Sequence, residues 1–164
     1  MFSPKLIVAP IDFSEPSKEA LNTAAELAKE SGAELLLVHV VPAIPRLTMP
    51  AEVFHEGEYE TALHHDAEHQ LAELVQSLKQ GGLKAKAEVG IANEVGMEIL
   101  RIAERNQAGL IVIATHGMAG WHALVFGSVA DKVVRLATCP VLVLRARKKA
   151  EHEKSSRTQD PVAA

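Results

Sequence analysis

The chain has 164 residues, 48% of them apolar and 23% charged, which describes a soluble globular protein with enough interior for one full core. Aromatic residues make up only 4% and the formal net charge is −4, which argues against a nucleic-acid backbone as partner and against aromatic base-stacking platforms. The single cysteine, Cys139, excludes an internal disulfide and suits a reducing compartment, and the opening apolar run over residues 6–11 is too short for a signal-peptide core or a membrane span, so a cytoplasmic protein with no membrane partner is expected.

Residues 6–9, Leu-Ile-Val-Ala, are apolar without interruption, the pattern of a strand buried on both faces. The strand ends in Pro10-Ile11-Asp12-Phe13-Ser14, where Ser14 is placed to cap a helix and Pro16 fits its first turn. Leu21, Ala24, Ala25, Leu27 and Ala28 give that helix one apolar face, and Ser31-Gly32 stops it. A second apolar strand covers 34–41, and Pro42, Pro45 and Pro50 make the next segment a loop. A helical pattern runs over 51–80, with Leu63, Ala67, Leu71, Leu74 and Leu78 on one side and Gly81-Gly82 at its end. Residues 84–89 alternate polar and apolar side chains, as a strand at a sheet edge does. A short amphipathic helix over 95–106 turns Ile99, Ile102 and Ala103 inward. The fourth strand is 110–114, the fourth helix 128–137 and the fifth strand 141–144. The tail over 147–164 carries little apolar content and is expected to be disordered, leaving one domain over 1–146.

Strict alternation of strands and helices predicts an α/β fold, a five-stranded parallel sheet with helices on both faces. Right-handed crossovers and the weakly apolar third strand favour the order 3-2-1-4-5. The order then reverses between strands 1 and 4, and ligands of such sheets bind in the crevice at the carboxyl ends of those strands. Asp12 follows strand 1 and Thr115, His116 and Gly117 follow strand 4, so the candidate chemistry converges on that crevice.

Strand, glycine-punctuated loop and helix N-terminus is how α/β proteins hold a phosphate. Gly117, Gly120 and Gly127 punctuate the loop, and Gly127 and Ser128 stand where a helix begins, so their backbone N–H groups have no intrahelical acceptor and the helix dipole favours an anion. The plainer reading is that Gly127 makes a tight turn and Ser128 only caps the helix. Asp12 fits two roles, orienting a base or metal, or accepting from backbone N–H groups as a turn aspartate. His65 and His69 stand four apart with Asp66 and Glu68 nearby, a spacing that can hold a metal, but no second ligand pair supports it and a charged outer face is the better reading. His39 lies within an apolar strand and is read as structural. There is no Gly-x-x-x-x-Gly-Lys-Ser/Thr motif, no Gly-x-Ser-x-Gly elbow, and no lysine between Thr115 and Ser128 to stabilise charge in phosphoryl transfer, so rapid catalysis is not expected.

Ala114-x-x-Gly117, nine residues, then Gly127-Ser128 resembles the Gly-x-x-Gly-(nine)-Gly-Ser/Thr motif of the universal stress protein family. Val8-Ala9-Pro10-Ile11-Asp12-Phe13-Ser14, Leu37-Val38-His39-Val40-Val41-Pro42 and Cys139-Pro140-Val141-Leu142-Val143-Leu144 resemble its first, second and last strands, in order over residues 3–146. The resemblance implies a three-layer sandwich of the adenine-nucleotide alpha-hydrolase type and an ATP, ADP or AMP ligand, with or without magnesium. It implies that Asp12 and Val40 lie on the adenine side, Ala114 and Thr115 near the ribose, and His116, Gly117, Gly127, Ser128 and Val129 around the phosphates, with Pro10 a further ligand-binding residue. It also implies a homodimer formed through the last strand, Val141–Leu144, and a stress-response or regulatory role. The chain departs from the motif at its first glycine, which is Ala114 here. The alternatives are a protein-interaction module of the same fold that binds no nucleotide, and a slow ATPase.

Overall fold

The four apolar strands and the alternating one assemble into a single parallel sheet. The computed structural model of the protein describes residues 3–43, 58–115 and 127–145. Its elements, in chain order, are β1 (Leu6–Pro10), α1 (Glu15–Ser31), β2 (Glu34–Pro42), α2 (Glu58–Gln80), β3 (Ala85–Ala92), α3 (Val95–Arg105), β4 (Leu110–Ala114), α4 (Ser128–Leu136) and β5 (Val141–Leu144). The strand order is β3-β2-β1-β4-β5, all pairs parallel, as the sequence pattern predicts.

Alternate residues of each central strand feed opposite layers. Ile7, Ala9, Leu35, Leu37 and Val112 pack with Leu21, Ala24 and Ala28 of α1 and Leu71 of α2. Val8, Leu36, Val38, Ile111 and Ile113 pack with Ile99 and Ile102 of α3 and Ala130 and Val133 of α4. This double burial explains the unbroken apolar runs of β1, β2 and β4, and it gives three layers. Ser14 caps α1 as expected: its Oγ accepts from the Ser17 amide at 3.3 Å, and Gly32 closes the helix in the left-handed conformation at φ 71°.

One strand runs well past its expected bounds. β3 continues three residues past its expected end, because β2 is long enough to pair with it as far as Pro42↔Ala92. Its outer residues are tied down by charge rather than by apolar contact: Glu88 pairs with Arg105 and accepts from Asn106 at the end of α3. For α2, described from Glu58 onward, the expected start at residue 51 lies outside the described residues, as do Pro45, Pro50 and the tail over 147–164. Among the described residues no helix is long and apolar enough to cross a membrane.

Candidate functional site

The strand order reverses between β1 and β4. β1 pairs with β2 along its whole length, from Leu6↔Glu34 to Pro10↔Val38, and β4 with β5 from Ile111↔Val141 to Ala114↔Leu144. Between β1 and β4 the ladder covers only Ile7↔Leu110 and Val8↔Ile111. The next β1 residue that faces β4 is Pro10, which has no N–H to donate, so the ladder stops there, and Pro10 and Ala114 end the two central strands at the carboxyl edge. That is the edge at which a doubly wound sheet takes a ligand.

One wall is the turn after β1. The Asp12 carboxylate accepts from the Ser14 amide at 3.1 Å and from the Ser14 hydroxyl, while the Asp12 amide donates to Ser17 Oγ at 3.4 Å. Of the two roles open to Asp12 in the sequence, the turn role is realised, through Oδ1. Phe13 adopts φ 64°, an uncommon conformation for a side-chain-bearing residue, and its ring packs on His39 with centroids 4.8 Å apart. His39 Nδ1 stands 2.7 Å from the Ile11 carbonyl, where it donates, and the Ile11 amide donates to Val38 O at 2.8 Å. The histidine is structural, as read from the sequence, and it holds the turn that carries Asp12. Pro10 is buried at the end of β1, and Val40 is 7% exposed with its side chain in the α3–α4 core layer.

The other wall joins the end of β4 to the start of α4. The Thr115 amide donates to the Leu144 carbonyl at 2.9 Å, and the Thr115 carbonyl accepts from the Gly127 amide at 2.8 Å. The Gly127 amide, open to an anion in the sequence reading, is thus spent on closing the base of the loop. A Cβ at Gly127 would stand 2.9 Å from the Thr115 carbonyl oxygen, so this close approach requires glycine. The first intrahelical bond of α4 runs from the Asp131 amide to Gly127 O at 2.9 Å. The amides of Ser128, Val129 and Ala130 precede it, have no intrahelical acceptor, and face the carboxyl edge with the positive end of the helix dipole. Ser128 is exposed there and Val129 packs on the α3–α4 core layer. Two expected ligand residues, His116 and Gly117, lie outside the described residues, as does Gly120.

The remaining candidates lie elsewhere. His65 and His69 sit on the outer face of α2 beside Glu68 at 3.4 Å and Glu73 at 3.7 Å, and among the described residues no three such side chains gather as a metal site. Cys139 is half-buried near the opposite, amino edge of the sheet, beside a cavity of about 100 Å³ lined also by Leu100, Gln107 and Ile111, and burial pushes its thiol above the ordinary range. One pair at the carboxyl edge escaped the sequence reading: Lys132 of α4 is bonded to Glu94, just before α3. Hydrogen bonding to Lys132 and then its charge hold the Glu94 carboxyl below the usual carboxylate range. The spacing of Lys132 from Ser128 was visible in the sequence; its partner, 38 residues away, was not.

Residues 4–145 match the family model described as "Universal stress protein family". Universal stress protein MJ0531 of Methanocaldococcus jannaschii is 35% identical over 148 residues, which cover 88% of this chain and 84% of that protein. The solved structure of MJ0577, from the same organism, aligns with a TM-score of 0.77 at 25% identity over 91% of this chain and 100% of its own. A universal stress protein from Archaeoglobus fulgidus, solved in complex with dAMP, aligns with a TM-score of 0.59 at 23% identity, over 87% of this chain and 98% of its own. The fold is of the adenine-nucleotide alpha-hydrolase type.

Proposed function

The chain belongs to the universal stress protein family, and we propose that it is a dimeric, nucleotide-binding regulatory module, taking ATP, ADP or AMP, with or without magnesium, at the carboxyl edge of its sheet. The observation that carries this reading is the reversal of strand order between β1 and β4, with the first-turn amides of α4 and the Asp12 turn brought to the same carboxyl edge. An anion is stabilised at such a helix start. The A. fulgidus relative with dAMP supports an adenine nucleotide as the anion's carrier. In this reading Pro10, Asp12 and Val40 border the base, Ala114 and Thr115 the ribose, and His116, Gly117, Ser128 and Val129 the phosphates, with Gly127 closing the loop. Residues 116–126 include no lysine or arginine, so binding rather than rapid phosphoryl transfer is the proposed activity. A cytoplasmic location belongs to the same reading.

The dimer is proposed through β5. Its four residues are all partly exposed at the outer edge of the sheet, and an apolar edge invites a partner strand. The Pro140 and Leu144 carbonyls point to β4, so the N–H groups of Val141 and Val143 point outward. Val143→Pro removes one outward donor and leaves the β4–β5 ladder intact. It should turn a dimer into a monomer in analytical ultracentrifugation while the far-ultraviolet circular dichroism is retained; a Val143→Pro dimer as tight as the parent contradicts the proposed edge.

The engagement of the Gly127 amide and the Asp12 carboxylate within the protein favours a second reading, an interaction module without nucleotide. Thermal denaturation with ATP, ADP and AMP separates the two. Ligand at a hundredfold excess over its dissociation constant adds about 2.7 kcal/mol of stability. An unchanged melting curve with all three, with and without magnesium, leaves the interaction module.

A further inference from the structure

We propose that Lys132 makes this site sensitive to the number of phosphates: its ammonium, held by Glu94 across the seam between α3 and α4, is drawn to the distal phosphates of a nucleoside di- or triphosphate and sets these ligands above the monophosphate. This rests on the nucleotide reading above and names which nucleotides the site prefers.

Lys132 stands one turn beyond Ser128, on the same side of α4 and about 6 Å further along its axis. Helical side chains lean back toward the N-terminus, so the lysine stem runs toward the open amides. The position of its head is fixed by its partner. Glu94 lies between the end of β3 at Ala92 and the start of α3 at Val95, which places it at the carboxyl edge of the sheet. An ammonium bonded to Glu94 is therefore at the same edge as Asp12, Thr115 and the α4 N-terminus. Gly96 lets the stem lie close against α3, since a Cβ there would stand 3.2 Å from Lys132 Cβ and Cδ.

The pair is exchangeable. The two side chains are 36% and 64% exposed, and an ion pair that wet holds its partners weakly. A phosphate group carries more charge than a carboxylate and offers more acceptor oxygens. Competing charges nearby are matched elsewhere: Asp131 with Arg135 at 3.1 Å and Glu98 with Arg101 at 3.3 Å. The sequence has no lysine or arginine between Arg105 and Lys132, so the loop and first turn of α4 bring no permanently charged cation of their own. Without Lys132, Glu94 becomes an unmatched negative charge at the rim and repels a polyphosphate most. The two partners therefore affect binding in opposite directions, and in proportion to phosphate count.

Isothermal titration of the full chain with ATP, ADP and AMP at constant magnesium and salt tests this, with apo melting curves as the folding control. Lys132→Met should weaken ATP about tenfold and AMP less than about twofold, with ADP between. Lys132→Arg should restore the graded order, and Glu94→Gln should tighten ATP while leaving AMP nearly unchanged. Equal losses for all three nucleotides in K132M, or weaker ATP binding in E94Q, would show the pair to be only a brace between α3 and α4. Wild-type protein that binds none of the three overturns the nucleotide reading itself, and this inference with it.

Discussion

Replacing Gly127 with alanine isolates the contact that closes the candidate site. The backbone at Gly127 has φ −54° and ψ 147°, a region open to every L-residue, so the substitution carries no conformational penalty of its own. The cost comes from one atom: the added Cβ meets the Thr115 carbonyl oxygen at 2.9 Å. That oxygen cannot retreat without stretching its 2.8 Å bond from the Gly127 amide, and Thr115 is held on its other side by the Leu144 carbonyl at 2.9 Å. Overpacking of this kind costs about 1–3 kcal/mol and a weakened backbone hydrogen bond about 1 kcal/mol more. A total of about 3 kcal/mol lowers the melting temperature of a domain this size by roughly 6–12 °C. Nucleotide affinity should fall with it, because relief requires the first turn of α4 to move. Gly32→Ala is the control. Its φ of 71° disfavours a side chain, yet nothing lies within 4 Å, so it should cost only about 1 kcal/mol and leave nucleotide binding alone. Urea denaturation and titration of the two variants decide the matter. If G127A is no less stable than G32A and binds nucleotide as the parent does, the steric account of Gly127 is wrong.

Further outcomes follow from the same geometry. His39→Phe keeps a ring against Phe13 but leaves the Ile11 carbonyl without its side-chain donor, and should cost about 1–2 kcal/mol in urea denaturation; an unchanged midpoint would show that the 2.7 Å contact contributes nothing. Leu71 is 1% exposed and, with Ala67, is the fully buried part of the α2 face that also packs Leu74, Val75 and Leu78 on the core, so Leu71→Ala should cost about 2–5 kcal/mol, and a loss below 1 kcal/mol would mean that α2 carries little of the core. Burial raises the Cys139 pKa, so at pH 8 less of the thiol is ionised in the native protein than in the unfolded chain, and iodoacetamide should modify native protein more slowly than urea-unfolded protein. Equal rates would place the sulfur in the open.

The layers and most of their order were legible in the apolar pattern alone. Unbroken apolar runs at 6–9 and 110–114 demand burial on two faces, and the polar–apolar alternation of 84–89 fits a strand at an edge, where β3 lies. Ser14 and Gly32 marked the ends of α1 through bonds to residues three or four away, a range that sequence spacing reports well. What the site residues do with their polar atoms emerges only in the packed fold. Packing turned the Gly127 amide inward to Thr115, set Phe13 on His39, and joined Lys132 to Glu94. Each of these contacts links residues distant in the chain, brought together by how the strands and helices pack. Hydrophobic periodicity carries no information about such pairings, since a hydrogen bond or an ion pair depends on the direction and distance of single atoms, and only the assembled sheet fixes those.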